Sequence, residues 1–380
     1  MGENRPESMN TLILPEQIAL NAICPYFTMF PLRFPLAILS RLAHSSDVVL
    51  DPFCGRGTTN FAARLLGLTT IGVDSSPIAI AMTEAKLATP MVSPKHIISE
   101  AKEILGRKID CNVPAGIFWS SAYRNSVLLD ICKLRESLLG NCRSAKRKAL
   151  RAIMLGALHG PLRKEGTSSY FSNQAPRTYA PKPNYAISFW RRMGCRAPHV
   201  DVLEIIAARA VRYYTANLPS VNYVIKQADS RKAFILQRMC AEHQPKFIIT
   251  SPPYYGLRTY VSDQWLRNWF LGGPETVDYS YGVQLSHRGK EAFVNDLRAV
   301  WLNIASVSHK RAQLIFRFGA INDRHLDPRE IIKASLKNTP WQLSTIVDAG
   351  TASRGKRQAD SFGHKQSKAI AEFDAWAIRA

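Results

Sequence analysis

The run Leu50-Asp51-Pro52-Phe53-Cys54-Gly55-Arg56-Gly57-Thr58-Thr59 decides how the rest of the chain is read. Val48-Val49-Leu50 before it is a short apolar run of the buried-strand type. Gly55 and Gly57 let the backbone turn sharply and approach a ligand that side chains would exclude. Thr58 to Leu66 then takes helical spacing, with Phe61, Leu65 and Leu66 on one face. Strand, glycine turn and helix in this order lay out a nucleotide-type cofactor site. Asn60 stands where a dinucleotide fingerprint has its third glycine, which speaks against NAD or FAD. No GK[ST] follows, so a P-loop is excluded.

Working outward, Thr70-Ile71-Gly72-Val73-Asp74 reads as a second strand ending in a carboxylate, and Pro77 suits the first turn of a helix running through Lys86. Strand-helix-strand-helix at this pitch predicts a parallel α/β sheet. Upstream, Pro15 to Leu20 and Pro35 to Ala43 read as helices. From about 90 to 217 the alternation breaks. Helical spacing predicts helices at Ile97–Leu105, Ser126–Leu139, Lys146–Leu158 and Val202–Tyr214. Between the last two, His159 to Pro198 is rich in Arg, Lys, Pro, Tyr, Ser and Asn. Strand-like runs resume at Tyr223–Ile225, Phe247–Ile249, Leu314–Phe316 and Leu343–Val347. Helices at Gln264–Leu271, Glu291–Ser306 and Pro328–Lys337 separate the later ones. The expected organisation is therefore a sheet domain over 1–90 and 218–380, with a largely helical insertion over 91–217.

A second signal, Ile248-Ile249-Thr250-Ser251-Pro252-Pro253-Tyr254, answers the glycine loop far downstream. It reads as a buried strand ending in a rigid loop able to hold a planar base. Two successive prolines fix φ and keep the Pro252 carbonyl pointing outward.

Lys and Arg total 50 against 29 Asp and Glu in 380 residues, a formal charge of +21. Such an excess favours a polyanionic partner, because cations on the protein release the counterions condensed on phosphates. The seven cysteines are scattered, with no CxxC pair and no His/Cys cluster at ligand spacing. Neither a metal site nor a disulfide framework is expected. No apolar leader or membrane-length stretch is visible, so the expectation is a soluble, cytoplasmic protein with no membrane partner.

With these motifs in hand, the chain resembles the amino-methyltransferase family of DNA modification enzymes, which methylate cytosine N4 or adenine N6. The resemblance rests on Phe27, Met29, Phe30 and Pro31, then DPFCGRGTT, then Gly72-Val73-Asp74-Ser75-Ser76-Pro77, and finally Thr250-Ser251-Pro252-Pro253-Tyr254. It implies a Rossmann-like sheet that binds S-adenosylmethionine and transfers its methyl group directly to a base amine. It places Asp51, Pro52, Phe53, Gly55, Gly57 and Thr58 around the cofactor, with Asp51 facing the methionine ammonium. Asp74, beside Ser75, would accept from the ribose hydroxyls, Asp229 would contact the adenine amine, and Phe27, Phe30 and Phe53 would line the pocket. The alternative for Asp74 is a strand-end residue capping the next helix.

The resemblance also assigns catalysis to Ser251, Pro252, Pro253 and Tyr254. A base amine is a poor nucleophile because its lone pair is delocalised into the ring. Acceptors aimed at its two hydrogens stabilise the positive charge that develops during transfer. The Ser251 side chain and the Pro252 carbonyl would be those acceptors, and Tyr254 would stack on the base. A serine here leans toward cytosine N4 in the family, with adenine N6 the alternative. A C5-cytosine mechanism needs a nucleophilic cysteine, commonly in Pro-Cys, and the chain has only the reverse, Cys24-Pro25.

A base in duplex DNA must be flipped out to reach such a pocket. The insertion is the expected recognition region, with Asn173, Gln174 and Arg177 reading base edges and Lys164, Arg191 and Arg192 on phosphates. Arg258 downstream of the catalytic loop, and the cationic loop containing Arg354, Lys356 and Arg357, extend the expected nucleic-acid surface. A cognate restriction endonuclease is the partner that the family's usual context implies. Two other readings stay open. A tRNA guanine-N2 methyltransferase shares the motif order, although about 50 residues before Asp51 are few for its usual RNA-binding domain. The other is a catalytically silent regulator that binds the cofactor or DNA.

Overall fold

The computed structural model describes residues 14–24, 31–88, 92–161, 169–175, 182–255, 261–277, 285–286, 289–319, 327–351 and 371–380. Among them, seven strands form one sheet: β1 (Val48–Asp51), β2 (Thr69–Asp74), β3 (Tyr223–Gln227), β4 (Phe247–Thr250), β5 (Gln313–Gly319), β6 (Trp341–Thr351) and β7 (Ala371–Arg379). Their order is β3-β2-β1-β4-β5-β7-β6. The first five run parallel, and β7 lies antiparallel between β5 and β6. A parallel sheet with a reversed seventh strand at this place is the Rossmann-like methyltransferase sheet, as the motifs predict.

The helices are α1 (Pro15–Ile18), α2 (Arg33–Leu42), α3 (Thr58–Leu65), α4 (Pro77–Leu87), α5 (Pro94–Gly106), α6 (Ile117–Ala122), α7 (Asn125–Gly140), α8 (Ala145–Ala157), α9 (Pro183–Arg192), α10 (Val202–Tyr214), α11 (Ala233–Met239), α12 (Trp265–Phe270), α13 (Lys290–Val307) and α14 (Pro328–Leu336). Because strand side chains alternate, β1 sends Val49 to one face and Val48 and Leu50 to the other. Val49 joins Ile38 and Leu39 of α2, Ala62 and Ala63 of α3, and Phe247, Ile249 and Ile315. Leu50 joins Ile248, Leu314, Phe316 and the apolar faces of α13 and α14. Every residue of β1 and β4 is buried. That is why both strands read as unbroken apolar runs.

A third apolar cluster is helical. Helices α5 to α10 pack with α4, with Phe61 and Leu65 of α3, and with Trp265 and Trp269 of α12. Residues 92–217 add no strand to the sheet among those described, yet they share one core with its helices. Trp119 of α6 meets Trp265 and Trp269 of α12 at ring-centroid distances of 5.6 and 4.6 Å. The helical layer is thereby seated on the segment that follows the Ser251-Pro252-Pro253-Tyr254 loop.

Three helices and one strand lie beyond what periodicity predicts. α9 sits in the polar, proline-rich block: Pro183 opens it, and Ala186, Phe189 and Trp190 form its buried face. α6 and α11 are short. β7 carries Glu372 and Asp374 at alternate positions, and carboxylates are depleted in strands. Asp374 is accommodated because Arg317, its register partner on β5, takes both its oxygens at 2.7 and 2.8 Å.

Candidate active site

Chain order runs outward from β1 through β2 to β3, then returns to β4 and β5 on the other side. The carboxyl ends of β1 and β4 therefore flank a topological switch point, where open α/β sheets bind ligands. β1 pairs directly with β4, with Leu50 opposite Ile248. The glycine loop and the Ser251-Pro252-Pro253-Tyr254 loop accordingly leave adjacent strand ends.

Side chains tie the two loops together. Thr250 Oγ1 donates to Asp51 Oδ1 at 2.6 Å, and the Phe53 amide donates to the same oxygen at 3.1 Å. Thr59 Oγ1 donates to the Ile249 carbonyl at 3.0 Å. Asp51 is fully buried, and its Oδ2 has no hydrogen-bond partner among the described residues. The Thr59 hydroxyl lies close, but its one proton is committed to Ile249. Burial pushes the Asp51 carboxyl up to about 7, against the hydrogen bonds from Thr250 and Phe53. A buried acceptor left unpaired costs about 1–3 kcal/mol, so a cationic ligand group placed there recovers a real penalty.

Gly55 and Gly57 both take left-handed backbone, at φ +51° and +73°. A Cβ on Gly57 would also stand 2.6 Å from Thr83 Oγ1 of α4. The Gly57 amide closes the turn on the Cys54 carbonyl at 2.7 Å, and Thr58 opens α3. Asn60, in place of a third glycine, is wholly buried and donates to Thr70 Oγ1 and the Ile71 carbonyl, locking α3 to β2.

Asp74 is half-buried at the end of β2. Its Oδ2 accepts from the Gly55 amide at 2.8 Å and its Oδ1 from the Ser76 amide at 2.9 Å. It thus braces the glycine turn and the start of α4, while each oxygen keeps a second lone pair for a ligand hydroxyl. Burial raises its pKa, and those amides oppose the rise. Ser75 beside it is exposed. Pro52 accepts from Ser230 Oγ at 2.6 Å, and the Phe53 ring stands edge-on to Trp301, with centroids 6.4 Å apart.

Asp229 follows β3. Both its oxygens are held by Arg231, at 2.7 to 3.1 Å, and this guanidinium also reaches Asp296 at 2.8 Å. Although burial opposes it, the ion pair holds the Asp229 carboxyl below its usual value. A contact to the adenine amine would have to share these occupied oxygens.

In the second loop Pro252 is buried, while Ser251, Pro253 and Tyr254 are half-buried. The Tyr254 ring meets Phe318 edge-on at 5.7 Å, and its hydroxyl donates to Glu372 Oε1 at 2.7 Å. Burial, then the Glu372 charge, drive the phenol pKa well above its usual value, so it stays a donor. Tyr255 is buried against Phe293.

The expected DNA-reading residues divide. Asn173 is a correction: it is 8% exposed, its Nδ2 donates to the Ser121 carbonyl and its backbone amide to Ala122, so its amide serves the fold rather than a base edge. The Gln174 carbonyl accepts from Trp190 Nε1 at 2.8 Å. Arg191 and Arg192 at the end of α9 are exposed. Phe27, Phe30, Lys164, Arg177, Arg258, Arg354, Lys356 and Arg357 lie outside the described residues. Motif reading passed over Thr250 and Glu372. Thr250 sits in the quoted run, and its β-branched hydroxyl next to a strand-end aspartate is a usable signal. Glu372 has none, because it reaches Tyr254 only through the unforeseen β7.

Among the described residues no group of three His, Cys, Asp or Glu is placed to hold a metal, and no helix is long and apolar enough to cross a membrane.

The fold and the paired loops define a methyltransferase sheet whose cofactor is S-adenosylmethionine. The residues present suit that molecule: two left-handed glycines shape the tight turn after β1, and the Asp51 oxygen that lacks a partner among the described residues suits its ammonium. Residues 4–85 match the N6/N4 family model described as DNA methylase. The chain is also 33% identical over 86 residues to the Type II methyltransferase M.MjaII of Methanocaldococcus jannaschii, a stretch covering 23% of this chain and 15% of that relative. Over this glycine-loop portion, the chain carries the signature of the N6/N4 amino-methyltransferase family.

Two solved structures are similar at a low level. The rRNA methyltransferase aviRa from Streptomyces viridochromogenes is 13% identical with a TM-score of 0.37, covering 98% of this chain and 96% of that one. Magnesium protoporphyrin IX methyltransferase from Synechocystis is 8% identical with a TM-score of 0.32, covering 98% and 100%. Likenesses of this size carry no weight for function.

Proposed function

We propose that this protein transfers a methyl group from S-adenosylmethionine to the exocyclic amine of a base flipped out of duplex DNA, with cytosine N4 the favoured target. The observation that carries this reading is the direct pairing of β1 with β4, cross-tied by the Thr250–Asp51 hydrogen bond at 2.6 Å. It holds a cofactor loop and a Ser-Pro-Pro-Tyr loop at neighbouring strand ends. The cofactor supplies an electrophilic methyl on a sulfonium.

This chain's own residues do the rest. Asp51 holds the ammonium end of the cofactor, Asp74 accepts from its ribose, and Gly55 and Gly57 let the backbone close on it. Ser251 and the Pro252 carbonyl accept hydrogen bonds from the two amine hydrogens, so the nitrogen lone pair turns toward the methyl; as the N–C bond forms and the C–S bond breaks, the positive charge on nitrogen is relieved by loss of one amine proton to solvent. The Tyr254 ring face packs on the base; such stacking contributes about 1–3 kcal/mol. No protein nucleophile is needed.

The excess of 21 positive charges favours a nucleic acid, and the exposed Arg191 and Arg192 are well placed for phosphates. The helical segment 91–217 is the proposed recognition region. Protection of host DNA beside a cognate endonuclease is the context suggested by the Type II name of the curated relative. Incubation with methyl-labelled cofactor, duplex DNA and tRNA tests the reading. Label in DNA supports it, label in tRNA alone replaces it with the RNA reading, and DNA binding without transfer replaces it with a silent regulator.

A further inference from the structure

The glycine loop carries a second enclosed charge. Arg56 stands between the two left-handed glycines, Gly55 and Gly57, and is only 8% exposed. Its Nε has no hydrogen-bond partner among the described residues, and none of their carboxylates comes within ion-pair distance of its guanidinium. Burial lowers the Arg56 pKa to about 10, still far above neutral, so the group stays charged. The backbone here is held from α4: the Arg56 carbonyl accepts from the buried Lys86 Nζ at 2.6 Å, and Lys86 donates also to Asn21 Oδ1 at 2.9 Å. Neither of those acceptors is an anion. An enclosed guanidinium with no anion beside it has lost hydration without gaining an ion pair.

Asp51 is its counterpart. The two groups belong to one turn, yet they do not pair with each other. Asp51 Oδ1 is taken by Thr250 and Phe53, and Oδ2 has no partner among the described residues. A buried carboxylate and a buried guanidinium on the same loop, each open and neither satisfying the other, match a zwitterion. The first takes an ammonium and the second a carboxylate. The methionine end of S-adenosylmethionine is such an α-amino acid, and a planar carboxylate fits the two-pronged edge of a guanidinium. Resting on the functional reading above, we infer that Arg56 binds the α-carboxylate of S-adenosylmethionine, opposite the ammonium held by Asp51. Lys86 is a positioning residue in this arrangement, because its bond to the Arg56 carbonyl fixes the backbone that presents the guanidinium. The loop thereby selects an amino-acid cofactor by both of its charges.

Calorimetry on the full-length protein tests this with two ligands: S-adenosylhomocysteine, and the same molecule with hydrogen in place of its α-carboxyl group. The pH is set above the Asp51 pKa of about 7, so that this carboxylate is ionised. The wild type should bind S-adenosylhomocysteine roughly ten- to a hundredfold more tightly than the decarboxylated ligand, the range of a charge-assisted hydrogen bond. Arg56→Met should bind the two alike, whereas Asp51→Asn should weaken both and keep their ratio. Removing the guanidinium also removes an enclosed charge, so ligand-free Arg56→Met should melt at a higher temperature than the wild type. Equal affinity of the wild type for the two ligands would overturn the inference and leave the functional reading standing. A ratio that survives in Arg56→Met would do the same; joined to a DNA salt slope reduced by about one, it would assign the guanidinium to a phosphate instead. A lower melting temperature with both ligands weakened equally would make Arg56 structural. A wild type that shows the preference yet transfers no methyl to DNA would keep Arg56 and remove the proposed function, and one that binds neither ligand would remove both.

Discussion

The carboxyl edge at β1 and β4 and the helical layer over residues 92–217 differ in the charge their buried polar groups can carry near neutral pH. In the layer Asn173 donates to the Ser121 carbonyl, Arg209 gives two bonds to the Ser169 carbonyl and Glu100 pairs with Arg147, while Arg151 keeps an Nε unpaired among the described residues. His159 leaves its Nε2 unpaired among the described residues, but burial holds the imidazole pKa down to about 3, so it is neutral. At the edge, every tie between the loops still leaves an oxygen of Asp51 buried and without a partner among the described residues, on a group able to carry charge near neutral pH. Satisfied polar groups mark architecture, and an uncompensated ionisable one marks where a ligand belongs.

Four measurements bear on this contrast. The largest effect is expected at the reacting edge, where Ser251→Ala should lower kcat by about two to three orders of magnitude, the scale of losing one charge-stabilising contact. Calorimetry with S-adenosylhomocysteine should show its affinity unchanged, and a parallel loss of binding would return Ser251 to a structural role.

Next comes the cofactor carboxylate. Asp51→Asn should weaken S-adenosylhomocysteine binding roughly ten- to a hundredfold, as expected for loss of a buried charge-assisted contact. The pH dependence has a defined sign. Asp51 must be ionised to hold an ammonium, so wild-type affinity should fall as pH drops through about 7, and the variant should lose that inflection. Stability of the free protein runs the other way. The folded pKa of about 7 lies above the unfolded 3.8, so the Asp51 contribution is fully present below 3.8 and is lost as pH rises through 7. Thermal melts across that range check it.

Smaller effects belong to the layer. Replacing Arg191 and Arg192 together by alanine should reduce the slope of log affinity against log salt by about two, one for each phosphate contact. Asn173→Ala should cost about 1–3 kcal/mol of folding stability by leaving the Ser121 carbonyl unpaired, with that salt slope unchanged. A relaxed DNA sequence preference without destabilisation would reinstate Asn173 as a base reader.

The centre of the sheet was legible because β1 and β4 are buried on both faces and read as apolar runs, and because glycine and proline punctuate the two loops. Val202 to Tyr214 matches α10 at both ends, since thirteen residues of amphipathic spacing leave little choice. α9 and β7 were not legible for local reasons: one hides in a polar, proline-rich block, the other carries carboxylates that are held by Arg317 and Tyr254. The resemblance, in which methyl and base must meet, implies that the glycine loop and the Ser-Pro-Pro-Tyr loop adjoin, and the pairing of β1 with β4 brings residues 51 and 250 together. The inward turn of Asn173 was not legible, because which face a loop residue takes is set by carbonyls more than fifty positions away in Ser121 and by the packing of Trp190.

The most direct trial of the paired-loop account is nucleoside mass spectrometry of DNA from cells expressing the wild-type protein or Ser251→Ala. The account predicts a base methylated on its exocyclic amine, N4-methylcytosine in first place and N6-methyladenine as the alternative, present with the wild type and absent with the variant. Unmodified DNA from the wild type, or methyl groups on cytosine C5, would contradict it.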